Sequence, residues 1–197
     1  HIGMASPDMI VLKIREQKVI LGKQIPYVEE PGDEIRMRGQ HRILIRDGET
    51  YGNIAGKNKD ILYTRDVIVG EPLNIEKIID PKMYVITSQT SRQKVNVSKV
   101  FRKSKPLGGT RPPVEAASAM EHTISLKLDK NLKEGESYSV VFTQDILDKK
   151  EIEFLFDSKE LFSEAVHIQQ VGFRPDDPVK MAFLSFWTGD GGGLSYS

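Results

Sequence analysis

The chain of 197 residues contains no cysteine. That removes disulfides, thiolate metal ligands and a cysteine nucleophile together, while leaving the compartment open. No apolar run approaches the roughly 20 residues that a membrane-spanning helix needs, and no signal peptide is visible. An excess of one charge is also missing: Lys plus Arg and Asp plus Glu both total 28. Such neutrality argues against a nucleic-acid partner, whose phosphates call for a basic excess. Aromatic residues are 8% of the chain, with a single tryptophan, so any aromatic-lined binding face has few side chains to draw on. The histidines His1, His41, His122 and His167 lack a second histidine or carboxylate at metal-ligand spacing. A Gly-x-Ser-x-Gly elbow is absent. Gly189–Gly193 lacks the Lys-Ser/Thr that completes a phosphate loop, and reads as a flexible turn or linker. No catalytic, cofactor-binding or metal-binding residue is therefore assigned from sequence, and no cofactor is expected.

What is present suits a globular β protein. Hydrophobic residues make up 39% and charged residues 28%. His1–Ser6 resembles a vector-derived leader and is set aside from the fold. Strands are expected at Met9–Arg15, Lys18–Leu21, Arg42–Arg46, Tyr51–Gly56, Asp60–Tyr63, Val67–Val69, Met83–Ser88, Val95–Phe101, Thr123–Leu128 and Glu151–Phe156, from β-branched content and period-two alternation. Asp47-Gly48 is a hairpin turn signal. Two prolines in Ile25–Gly32 demote that stretch to an edge or loop. Its neighbours Glu29 and Glu30 point to opposite sides of an extended chain, so they do not flank one bond. Leu73–Ile79 fits a strand or one helical turn. Arg102–Lys105 is either an anionic-ligand patch or a solvated strand end leading into Pro106. Leu107–Pro113 is a loop by composition, and Val114–Met120 a short helix or irregular segment. Leu132, Gly135 and Tyr138 have the spacing of a sandwich corner, in which the tyrosine is buried and bonds nearby backbone. Some ten short strands before Asp157 predict an all-β fold, an immunoglobulin-like or related β-sandwich. It would cover residues 7–157, with a junction at 158–165 and a partial second β module at 166–197.

That last segment opens with Val166-His-Ile-Gln-Gln-Val-Gly-Phe, turns through Arg174-Pro-Asp-Asp-Pro178, and continues with Lys180 and Met181–Trp187. It reads as strand, proline-fixed turn, strand. The stretch resembles the opening of the immunoglobulin-like domain that precedes the catalytic module in many family-nine glycoside hydrolases, which are cellulase-like enzymes. Gln170, Val171, Gly172, Pro178 and Lys180 match its pattern, while Gln169 stands where asparagine is usual and Phe173 where tyrosine is usual. The order Tyr84–Ser88, Arg102–Pro106 and Leu132–Tyr138 is similar to N-terminal regions of bacterial cellulase-like proteins. The resemblance covers a structural module and carries no catalytic residue.

It implies a non-catalytic accessory or structural module of a bacterial glycoside hydrolase, supporting a downstream catalytic domain of the same chain, with a secreted, periplasmic or cell-surface location. Two other readings stand beside it. In a carbohydrate-binding module, Tyr27, Tyr51, Tyr63 or Trp187 would stack on the sugar rings of a polysaccharide. A small stand-alone carbohydrate-active enzyme is disfavoured by the lack of a local catalytic constellation. Too few residues come after the junction for a complete sandwich of about 100 residues. Residues 166–187 are therefore expected to pack on the upstream sandwich, pair with an edge strand, or self-associate.

Overall fold

The computed structural model describes residues 1–145, 147–169 and 171–196. The strands in chain order are β1 (Ile2–Ser6), β2 (Met9–Arg15), β3 (Lys18–Ile20), β4 (Gln24–Pro26), β5 (Glu34–Arg38), β6 (His41–Arg46), β7 (Glu49–Ala55), β8 (Ile61–Thr64) and β9 (Val67–Val69). A helical turn, α1 (Ile75–Ile78), is capped by the Asn74 side chain on the Lys77 amide. Then come β10 (Tyr84–Ser88), β11 (Lys94–Val95), β12 (Val97–Gly109), β13 (Ser118–Leu128), β14 (Glu136–Phe142), β15 (Glu151–Phe156), β16 (Val166–His167) and β17 (Phe183–Leu184). The expected all-β class holds. No helix among the described residues is long and apolar enough to cross a membrane.

The chain packs as two compact units. Unit one takes residues 1–14, 73–105 and 121–197; unit two takes residues 15–72 and 106–120. Sequence reading runs one domain across residues 7–157. It has no means of seeing the division, because both segments of unit two are made of strands like those around them.

Unit one is a β-sandwich. One sheet has the order β1-β2-β13-β12 and the other β11-β10-β14-β15. Ile10, Leu12, Ile124, Leu126 and Leu128 of the first sheet meet Tyr84, Ile86, Tyr138, Val140 and Phe154 of the second in one core. β2 is buried on both faces, with Met9 and Val11 turned into a second cluster alongside Ala5, Ala165 and Phe186. This explains why Met9–Leu12 is an unbroken apolar run rather than an alternating one. Residues 2–6, set aside as a leader, form β1 and pair with β2.

The corner at Tyr138 is as the spacing predicts. Its ring is 3% exposed and stacks on Phe154 with centroids 5.8 Å apart. Its hydroxyl accepts from the Lys133 backbone N–H at 3.0 Å and donates to Glu136 Oε2 at 3.0 Å. Tyr138→Phe takes the acceptor from that amide and the donor from Glu136, so unit one is expected to lose about 1–2 kcal/mol. Chemical denaturation of the variant checks this; an unchanged midpoint would show the corner to be ornamental.

Several local expectations are corrected. The stretch at Leu107–Pro113 is strand as far as Gly109, because β12 runs on through Pro106. The ambiguous Leu73–Ile79 is the α1 turn, with Ile78 fully buried. Gly189–Gly193 is a docked turn rather than a linker. Asp190 Oδ1 accepts from the Arg102 N–H at 2.9 Å, and a Cβ on Gly189 would lie 2.1 Å from the Arg102 carbonyl oxygen. Only glycine permits that approach, at a φ of +93°. The proline turn forms, with the Arg174 N–H donating to Asp177 Oδ2 at 2.8 Å. Its flanking strands shrink to two residues each, β16 and β17, since Ile168 and Met181 find no apolar face to cover them.

Unit two is built on a five-stranded antiparallel sheet, β4-β8-β7-β6-β5, with β3 and β9 as a separate pair. Leu44, Ile54 and Leu62 form a small core on one of its faces, with Tyr27 packed against them.

Candidate functional site

Alternation along each strand puts every second side chain of the five-stranded sheet on the face away from that small core. The register selects one row there. Gln24 is opposite Tyr63, Tyr63 opposite Asn53, Asn53 opposite Ile43, and Ile43 opposite Arg36. Cross-strand neighbours of this kind stand about 5 Å apart, so the row presents a continuous strip. The segment 111–114 lies against the strip and leaves two hollows. One, of about 500 Å³, is lined by Arg38, His41, Ile43, Asn53, Pro113 and Val114. The other, of about 370 Å³, is lined by Gln24, Asn53, Tyr63, Arg65, Asp66 and Arg111. Asn53, Pro112 and Pro113 border both, so the two hollows adjoin and are treated together as one cleft.

Asp66 anchors the covering segment. Its carboxylate, on a residue 5% exposed, accepts from Arg111 Nε at 2.8 Å, Arg111 Nη2 at 2.7 Å, the Arg111 backbone N–H at 2.8 Å and the Gly22 N–H at 2.8 Å. The Arg111 guanidinium, aided by these amides, holds the Asp66 carboxyl well below its usual range. Arg38 Nη1 donates to the Pro113 carbonyl at 3.3 Å from the other side. Arg65 is matched by Glu49 at 2.5 Å. Two of the three guanidinium groups bordering the cleft thus have a carboxylate of their own. By contrast, Asn53 Oδ1 is buried and has no hydrogen-bond partner among the described residues.

The four aromatics expected to stack on sugar lie in three places. Tyr63, 45% exposed, is in the cleft. Tyr27 and Tyr51 belong to a network around Asp33, which binds Arg46 through both oxygens at 2.7 and 2.9 Å and accepts from the Tyr27 hydroxyl at 3.1 Å. The Arg46 guanidinium also sits 4.6 Å from the Tyr51 ring centre. Tyr51 falls where the β6–β7 register shifts, a bulge that re-aims it. Trp187, in unit one and 61% exposed, borders a separate hollow of about 420 Å³ with Lys103, Glu164 and His167.

The basic run at Arg102–Lys105 is neither a free patch nor wholly solvated. Lys103 lies over the Phe186 ring at 4.8 Å, and Lys105 pairs with the buried Glu121 at 3.1 Å. Burial beside that ring lowers the Lys103 ammonium from its ordinary value. His167 is on the surface, its Nε2 donating to the Ser185 carbonyl at 2.9 Å.

Glycoside hydrolysis needs one carboxyl held protonated. Arg46 lowers Asp33, Arg36 lowers Glu34, and the Ser88 hydroxyl lowers Glu136. Burial pushes Asp8 up, but its bonds to Lys127 and Ser6 outweigh that and the net direction is again down. All these groups, like Asp66, are held ionised. No group of three or more His, Asp or Glu side chains able to hold a metal occurs among the described residues.

Asn53, Gln24, Asp66 and Arg111 carry no mark in the sequence. Asp66 and Arg111 are 45 residues apart, and no local spacing announces such a pair. The row at Asn53 depends on register, which becomes readable only once the strand order is known. No protein-family model, curated protein or solved structure matches the chain.

Proposed function

We propose that the chain is a non-catalytic accessory module of a bacterial cellulase-like glycoside hydrolase, placed before the catalytic domain of the same polypeptide and working outside the cytoplasm. The observation that carries this reading is the stretch from Val166 to Ser185, whose Val171, Gly172, Pro178 and Lys180 keep to the family-nine pattern. Gln170, which also matches, lies outside the described residues. The polypeptide enters this stretch directly from the sandwich and is held to it by Ala165 and Phe186, as suits a module that fixes the position of a neighbouring domain.

Two measurements test the proposal. Incubated with soluble cellulose, xylan, mixed-linkage glucan or aryl glycosides, the chain is expected to release sugar at the rate of buffer alone. Robust turnover abolished by replacing one carboxylate would overturn the non-catalytic part. Sequencing the gene beyond the codon for Ser197 tests the rest: an open frame that encodes no glycoside hydrolase domain would remove the parent enzyme.

A further inference from the structure

We infer that the cleft on the five-stranded sheet of unit two binds a neutral oligosaccharide, with Asn53 and Gln24 as hydrogen-bonding groups and Tyr63 as the stacking platform. This is read from the cleft alone and stands whether or not a catalytic domain lies downstream.

The argument begins with Asn53. A buried amide oxygen without a partner costs about 1–3 kcal/mol, and it is relieved by a ligand that brings a donor. Asn53 borders both halves of the cleft, so a ligand in either half lies against this side chain. In the same row stand the Tyr63 ring and, beyond it, the Gln24 amide. An aromatic face between two side-chain amides suits a pyranose. The sugar's axial C–H face lies on the ring, and its hydroxyls, each both donor and acceptor, match amides that are also both.

Charge decides against an anionic ligand. Arg111 is neutralised by Asp66 and Arg65 by Glu49, which leaves Arg38 already donating to Pro113. Geometry decides against an extended peptide. The recognition groups face out from the flat of the sheet and not from its edge, so no row of backbone donors is offered for strand addition. Apolar walls at Ile43, Pro112, Pro113 and Val114 complete a site of the usual make-up, largely apolar with a few convergent polar groups.

The test uses the whole chain, with cellohexaose, xylohexaose, an oligogalacturonate and an uncharged decapeptide as probes in calorimetric titration. At least one neutral hexasaccharide is expected to bind. Asn53→Ala and Tyr63→Ala are each expected to weaken it tenfold or more, and Trp187→Ala to leave it unchanged. Amide shifts in the 15N spectrum should gather at 24, 38, 41, 53, 63 and 114. Gln24 is exposed, so Gln24→Ala keeps the fold if Asn53→Ala does not, and a fivefold or larger loss is expected from it. The inference is overturned if neither neutral sugar binds at millimolar concentration, or if only the oligogalacturonate or the peptide binds. It also fails if binding survives Tyr63→Ala and Gln24→Ala but is lost in Trp187→Ala.

Discussion

Phe186→Ala is expected to release the C-terminal segment of unit one from the sandwich while leaving the sandwich core folded. Phe186 is 6% exposed and packs with Met9, Val11, Ala5 and Ala165, with Phe101, Leu194 and Tyr196 around them. Removing a buried phenylalanine costs about 3–5 kcal/mol. The segment's polar ties to the sandwich among the described residues include the Tyr196 hydroxyl on the Ala5 carbonyl at 3.1 Å, the two Asp190–Arg102 hydrogen bonds and the Ser185–Ala165 backbone bond at 2.9 Å. Each of these hydrogen bonds contributes about 1 kcal/mol net. Hydrogen exchange should therefore show the amides of Ser185, Thr188 and Leu194 losing at least a hundredfold in protection, while those of Ile86 and Val140 keep theirs. Release also uncovers Met9 and Val11, next to a segment that already exposes Val166, Ile168, Phe183, Leu184 and Trp187. Light scattering should then report association at concentrations where the parent chain is monomeric. Equal protection in the variant and the parent would show that Phe186 is not what docks the segment.

The same residues show which parts of this fold are legible in the sequence. Thr123–Leu128 and Met83–Ser88 alternate clearly and are strands, and the Tyr138 corner comes from three residues at fixed spacing. These are local signals. Strand β5, Glu34–Arg38, gives no such signal, because all five of its residues are exposed and its pattern shows no buried face. The glycine run at 189–193 looks like a linker until Arg102, some 88 residues earlier in the chain, is seen to need its missing side chains. The division into two units and the cleft on the second are likewise products of long-range register. Tyr63 can be named from sequence as an exposed aromatic. Asn53 cannot, since an asparagine within a strand signals nothing until its neighbours in space are known.

Asp66→Asn is expected to destabilise unit two by about 1–3 kcal/mol at neutral pH, the range for losing hydrogen bonds to a charged group whose partner, Arg111, remains largely in solvent. The asparagine keeps the shape but loses the paired oxygens that hold the Arg111 guanidinium, and its amide group turns a donor toward the Gly22 or Arg111 N–H. The covering segment 111–114 then loses its anchor. The same carboxylate predicts how unit two responds to acid. Asp33 and Asp66 are both held below the ordinary aspartate value, by Arg46 and by Arg111 respectively. A depressed carboxyl contributes stability that is complete above the unfolded pKa of about 3.9, and that disappears as pH falls through it toward the folded value. Protection of the Leu44, Ile54 and Leu62 amides should thus be flat from pH 7 to about 5 and fall steeply below about 4. In Asp66→Asn, one of the proton-linked groups is gone, so the plateau is lower and the acid limb shallower. Exchange measured from pH 7 to about 2.5, corrected for intrinsic rates, gives both quantities. A parent chain whose unit two keeps full protection at the acid end of that range, or a variant with the parent's plateau, would show that the Asp66–Arg111 pair does not hold the sheet and its covering segment together.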